Sequence, residues 1–273
     1  MIRVLWPVAV ITWKEGIRNK AIYGISLFAL LLLGANLLVS GMMMRSAGKT
    51  AVEMALSTVS LCGLLLVFFV GINLIAKDFD RRTIYMVLSR PVSRVQYILG
   101  KFIGIALLIV SAVVFLGVFA ALSIFLVEKA YPDYFGRFSW GLFLLGLGMN
   151  GVMLMLLAAI TILFASISST SFVTLVLTII TYIIGQSIGE VKALVENPLA
   201  LGLGISVPKL TVILIKAAYY LFPNLSIFDI KVQVAHGIMV PASYVAWTVL
   251  YGAVYSAVVI VLASLFIRKR EFP

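Results

Sequence analysis

The side chains with chemical potential concentrate in one stretch, KDFDRRTIYMVLSRPVSRVQYILGK, residues 77–101. Within it Asp78, Asp80, Arg81, Arg82, Thr83, Met86, Leu88, Arg90, Pro91 and Arg94 combine both charge signs, hydrophobic knobs and a helix stop. Asp80 can cap a short helix from Arg81 to about Leu88, its carboxylate at the positive helix end. Pro91 stops that helix. Ser93 and Gln96 have capping-box spacing, so a second helix starts there and runs through Lys101. A short rigid helix between two apolar runs can carry force from a soluble partner into them, whereas a disordered loop cannot. The other reading of the same residues is an ordinary basic loop.

Three further groupings fail on chemistry. MMRSAGKT, residues 43–50, ends like a phosphate-binding loop, but GxxxxGK[ST] needs glycine where Met43 stands, and a strand must precede it. Met42, Met43, Met44, Met149, Met153, Met155 and His236 are soft metal ligands by type, yet they come from separate apolar runs, where methionine fills gaps in helix packing. No Ser, His and carboxylate set has credible spacing for an intramembrane hydrolase. The chain is therefore expected not to be an enzyme and to bind no cofactor or metal. Cys62 is the single cysteine, which excludes an internal disulfide and leaves the redox compartment undetermined.

The elements that must position the 77–101 stretch follow from composition. Of 273 residues, 63% are hydrophobic and 11% charged, and the mean hydropathy is +1.17. So little polar surface cannot cover a water-soluble globule. The net charge of +11 is spread over the flanks of apolar runs, which argues for membrane anchoring and against nucleic acid as a partner. The first twenty residues lack a secretory h-region, since Pro7, Lys14 and Glu15 interrupt them, so no cleavage is expected.

A helix needs about 20 apolar residues to cross roughly 30 Å of hydrocarbon. Six runs qualify: Ala21 to Gly41, Ala55 to Ala76, Phe102 to Val127, Phe138 to Ala165, Ser171 to Gly189 and Ser243 to Ile267. The sequence thus predicts one all-α polytopic membrane domain over residues 1–273, with six transmembrane helices. Arg3, Lys14, Arg18, Lys20, Lys77, Arg81, Arg82, Arg90, Arg94, Lys101 and Arg268 to Arg270 fall on one side of that topology. The two short loops of the other side hold only Arg45, Lys49, Lys129 and Arg137. The positive-inside rule puts both termini in the cytoplasm, and the location expected is the inner membrane. Residues 190–242 form one long extracytoplasmic connection, whose apolar pieces Leu199 to Val207 and Leu210 to Phe222 are short for a span and fit re-entrant or interfacial helices.

Ile2, Trp6, Val10, Trp13 and Ile17 recur at helical spacing, and Arg3, Lys14, Glu15 and Arg18 fall elsewhere. Such a leader can lie in the headgroup plane, with Trp6, Trp13, Lys14 and Arg18 as interface anchors. A generic basic anchor is the alternative. Inside the spans Asn36, Asn73, Asn150, Gln186, Tyr182 and Tyr251 are the polar groups, available for helix-to-helix hydrogen bonds or for cargo contact. No acid, Lys, Arg or His falls there, although ion-driven carriers keep one at mid-membrane. Gly100 with Gly104, and Gly185 with Gly189, form small-xxx-small pairs that permit close helix approach.

Residues 77–101 resemble the cytoplasmic loop of type-2 ABC exporter permeases, in particular the branch with the permeases of nitrous oxide reductase maturation and of gliding motility. The residues that carry the resemblance are Asp78, Arg81, Thr83, Leu88, Pro91, Ser93, Arg94, Tyr97, Gly100 and Lys101. The leader resembles that family's elbow helix, PNLSIFDIK at residues 223–231 resembles its segment before the last span, and RKREF fits its basic end. The resemblance implies that residues 1–20 are an elbow helix and residues 78–101 a coupling region. It also implies a permease subunit that moves or extracts a substrate while a separate cytoplasmic ATPase, two copies per complex, holds ATP and Mg. The permease would pair with a second copy or a sister chain, with Gly185 and Gly189 available for a dimer contact or for helix packing. Membrane lipids and a periplasmic or accessory protein complete the partners expected. The large periplasmic insertion of some relatives is missing. A membrane anchor for an assembly complex and an ATP-independent carrier or channel are the competing functions.

Overall fold

The computed structural model describes residues 2–43, 46–74, 93–136, 138–168, 170–196 and 209–269. Among them the backbone is helical with no strand, because hydrocarbon offers no partner to an unpaired peptide group. The helices are α1 (Ile2–Ile17), α2 (Lys20–Met42), α3 (Ala47–Leu65), α4 (Arg94–Ala130), α5 (Trp140–Ile167), α6 (Ser171–Glu196), α7 (Lys209–Leu221), α8 (Lys231–Ala235) and α9 (Ala242–Lys269). Six are long and apolar enough to cross a membrane: α2, α3 with its continuation to Leu74, α4, α5, α6 and α9.

The spans start and stop where local chemistry dictates, which in two cases is earlier than the apolar runs. The second span begins at Ala47, not Ala55, since Lys49 and Glu53 interrupt the apolar run without interrupting the backbone. The third begins at Arg94, where Ser93 and Gln96 form a reciprocal capping box: Gln96 N donates to Ser93 Oγ at 3.2 Å, and Ser93 N donates to Gln96 Oε1 at 3.0 Å. At 37 residues α4 rises about 55 Å, well past the roughly 30 Å of hydrocarbon. The second span passes through one π-helical stretch, Leu66–Gly71, before ending at Leu74. The long connection also differs from expectation at its start, since α6 continues through Glu196; α7, with 13 residues, is too short to span.

α3 and α5 are the most enclosed spans, and α2 and α6 the most exposed. The amides tie them together. Buried Asn36 donates to Ala51 O at 3.0 Å and to Ser123 Oγ at 3.1 Å and accepts from Ser40 Oγ, so α2, α3 and α4 share one knot. Ser60 donates to Asn150 Oδ1 at 3.0 Å, joining α3 to α5, and Gln186 donates to Tyr182 OH and Met153 Sδ, joining α6 to α5. Asn73 bonds within its own helix, to Phe69 O.

The two ends of the bundle are distinct. At one, the cap end, Gly48 lies against Tyr134, and one cleft collects Lys49 from α3, Asp133 and Phe138 from the connection after α4, and His236 and Ile238 from the connection before α9. At the other, the junction end, Glu15, Leu74, Arg94, Lys101 and Ile267 converge. Glu15 of the first helix, Leu74 and the end of α9 are therefore on the same side.

Candidate functional site

α1 meets α4 at a constant register. Added Cβ atoms at Gly100 and Gly104 would stand 2.7 Å from Val8 Cγ1 and from Ala9 O, and Gly16 faces Leu108. A leader lying flat across the span would touch α4 at one crossing point; instead the two helices run side by side and in the same direction, so α1 is not a free surface helix. Only glycine lets the two backbones come this close, which gives the Gly100 and Gly104 pair its role. Trp13 Nε1 donates to Ser111 Oγ at 3.1 Å and fixes the register. Trp6 is 59% exposed and Lys14 and Arg18 are exposed, so these three expected anchors point away from the bundle.

Lys101 is the centre of the junction. It is 6% exposed, and its Nζ donates to Leu74 O at 2.7 Å, approaches Glu15 Oε2 at 3.9 Å and stands 5.8 Å from the Tyr97 ring centroid. A buried ammonium needs such partners, and one of them is the last described carbonyl before residues 75–92. At the other end of that connection Arg94 Nη1 donates to Ile267 O at 2.7 Å, a cation on the negative end of α9. Both ends of the connection are thus fastened to the bundle, one through α3 and α1, the other through α9. Asp78, Asp80, Arg81, Arg82, Thr83, Met86, Leu88, Arg90 and Pro91, with the short helix expected from Arg81 to Leu88, lie outside the described residues. Of the expected coupling residues Arg94 alone is placed. Sequence reasoning counts Lys101 as a basic flank; the signal it passes over is that Tyr97, Gly100, Lys101 and Gly104 share a helix face at i, i+3, i+4 and i+7.

At the cap end, the expected glycine pair of α6 is covered by its own chain. A Cβ on Gly185 would meet Pro223 O at 2.7 Å, and one on Gly189 would meet Ser226 Oγ at 3.0 Å; Leu225 N donates to Gly185 O at 2.8 Å. Within the chain that face packs against residues 223–226. The same loop is gripped from α9 by three tyrosines on one face: Tyr244 OH donates to Ile227 O at 2.7 Å, Asn224 N donates to Tyr251 OH at 3.0 Å, and Tyr255 OH donates to Leu221 O at 3.1 Å. Asp229 pairs with Lys231 at 3.0 Å beside Ser60 and Asn150, whose Nδ2 is buried with no partner among the described residues. The metal-type residues are dispersed: Met149 and Met153 are core, Met42 and Met43 are exposed, and among the described residues no cluster of His, Cys, Asp and Glu could hold an ion.

Six helices long and apolar enough to cross a membrane, with the buried Lys101 and the partly buried Arg94 fastening one end of the bundle, define a multi-pass membrane protein. Residues 6–270 match the family model described as ABC-2 family transporter protein, and the chain belongs to that family. It is a membrane permease subunit of an ABC transporter, the transport component and not the catalytic one, in a family that associates with a cytoplasmic ABC ATPase. No curated protein matches it significantly.

Proposed function

We propose that this permease couples ATP hydrolysis on a separate cytoplasmic ATPase to export or extraction of a substrate, and that residues 78–94 are the coupling element. The observation that carries the reading is the double fastening of the 75–92 connection, through Lys101 to Leu74 and through Arg94 to Ile267. A segment held at both ends to different spans passes a push to both, whereas a tethered loop dissipates it. α9 then reaches from Arg94 at the junction to the tyrosine grip on residues 221–227, so one rigid helix links the driven end to the cap.

In this reading the junction end faces the cytoplasm of the inner membrane, as the positive-inside rule requires of Arg94, Lys101 and Arg268 to Arg270. Two permeases, identical or sister chains, each dock one ATPase, which carries ATP and Mg. Asp78, Asp80, Arg81, Arg82, Thr83, Met86, Leu88, Arg90 and Pro91 form the docking helix, while Trp6, Lys14 and Arg18 anchor the leader to lipid. The motif residues quoted for 77–101 support a place in the nitrous oxide reductase maturation and gliding-motility branch.

The test replaces Met86 and Leu88 by proline and measures ATPase co-purification and ATP-stimulated activity in vesicles. Loss of both is expected; full retention of both refutes the assignment. A second reading, an anchor that drives an assembly complex without passing cargo, predicts the same loss of binding but no transport by the intact complex in vesicles.

A further inference from the structure

Between α4 and α5 lies a cavity of about 550 Å³, open to the bilayer side and separate from the junction and the cap. Its walls are Val110, Val114, Val118, Leu144 and Met155, with Trp140 at its cap-end mouth, and no charged residue lines it. Val114, Val118 and Leu144 are 60%, 62% and 65% exposed, so the groove faces whatever surrounds the span.

Its floor is glycine. Gly148 and Gly151 line the groove, and a Cβ built on either meets no atom within 4 Å. Gly104 permits contact, against Ala9, whereas these two, like Gly34 on α2, leave room where a side chain would fit. Gly151 is buried and Gly148 exposed, so the floor runs from the packed side of the groove to its open side. An apolar groove of this kind gains dispersion contacts when an apolar chain fills it.

We propose that this groove is a binding slot for one acyl chain of a membrane phospholipid, in the leaflet nearer Trp140. Length, polarity and access all match that occupant. From Val110 to Ala121 the α4 wall rises about 17 Å, close to the roughly 15 Å of hydrocarbon in one leaflet. The walls offer no partner to a polar or charged solute, which a cargo headgroup would need. Trp140 sits where an amphipathic ring marks the membrane–water boundary, so the chain enters tail first past the indole, with its headgroup outside. Recognition is therefore by tail and not by headgroup.

The glycines make the slot testable without a clash. The full-length permease, purified in mild detergent, is weighed by native mass spectrometry after incubation with phosphatidylcholine or with phosphatidylglycerol. One retained phospholipid per chain is expected, to the same extent with either headgroup. Gly148→Leu and Gly151→Leu fill the slot and should lose that phospholipid, while Gly34→Leu, an equally open glycine on exposed α2, should keep it. Unchanged melting temperatures in lipid-free detergent verify that the variants fold. Retention by the filled variants, loss in Gly34→Leu as well, retention of one headgroup only, or a change in subunit number in place of lipid loss would each overturn the slot. None of these results depends on whether an ATPase docks at residues 78–94.

Discussion

Replacing Lys101 by methionine isolates the junction, because the new side chain keeps an unbranched stem of similar length and opens no cavity. What is lost is the ammonium. Its hydrogen bond to Leu74 O at 2.7 Å is short and buried, and hydrogen bonds to charged groups contribute about 1.5–3 kcal/mol. The Glu15 contact contributes much less, since 3.9 Å is long and the Glu15 side chain is 52% exposed; such pairs contribute about 0–1 kcal/mol. The expected cost of Lys101→Met is about 2 kcal/mol, and of Glu15→Gln under about 0.5 kcal/mol. At roughly 2–4 °C per kcal/mol for chains of this size, the first variant should melt about 4–8 °C lower in a size-exclusion thermostability assay and the second should be indistinguishable from the parent. Because Leu74 leads into residues 75–92, ATP-stimulated activity should also fall in Lys101→Met at temperatures where the protein is still folded. Equal losses in the two variants, or none in Lys101→Met, would refute the view that the Leu74 carbonyl is the anchor.

Other perturbations probe the spans and the cap. Asn36→Leu removes two interhelical hydrogen bonds, each about 0.6–1.7 kcal/mol in membrane bundles, so a loss of about 1–3 kcal/mol is expected in the same assay. Gly185→Leu drives a side chain into Pro223 and Leu225 and should cost about 1–3 kcal/mol, visible as faster amide exchange from Lys209 to Ile230. Tyr251→Phe leaves the Asn224 amide without its acceptor, at about 1–2 kcal/mol, and should raise exchange at Asn224 with little effect at the junction.

The spans were legible because hydrocarbon thickness imposes a length, and the Ser93 and Gln96 box because both of its bonds are local. Lys101 was not, because its partners Leu74 and Glu15 lie on other helices and only the assembled bundle decides that the ammonium is buried. Gly185 and Gly189 could be seen as a close-approach face, but not what covers it; Leu225 does so from a connection whose course no periodicity reveals. The side-by-side path of α1 along α4 escaped an amphipathicity argument for a related reason: an apolar stripe suits a lipid surface and a neighbouring helix equally well. The π-helical stretch at Leu66–Gly71 has ordinary apolar side chains and left no mark in the sequence at all.

The most direct measurement concerns what touches residues 78–91. A photoreactive benzoylphenylalanine is placed at Met86, or at Tyr134 on the cap end as a control, in membranes of cells that make the intact complex, and each cross-linked product is sequenced. Cross-linking from position 86 to a chain with a complete GxxxxGK[ST] loop, enhanced by ATP and absent from position 134, is the outcome expected. Cross-linking of that chain from position 134 in place of 86 would contradict the coupling assignment, as would a product from position 86 that contains no such loop.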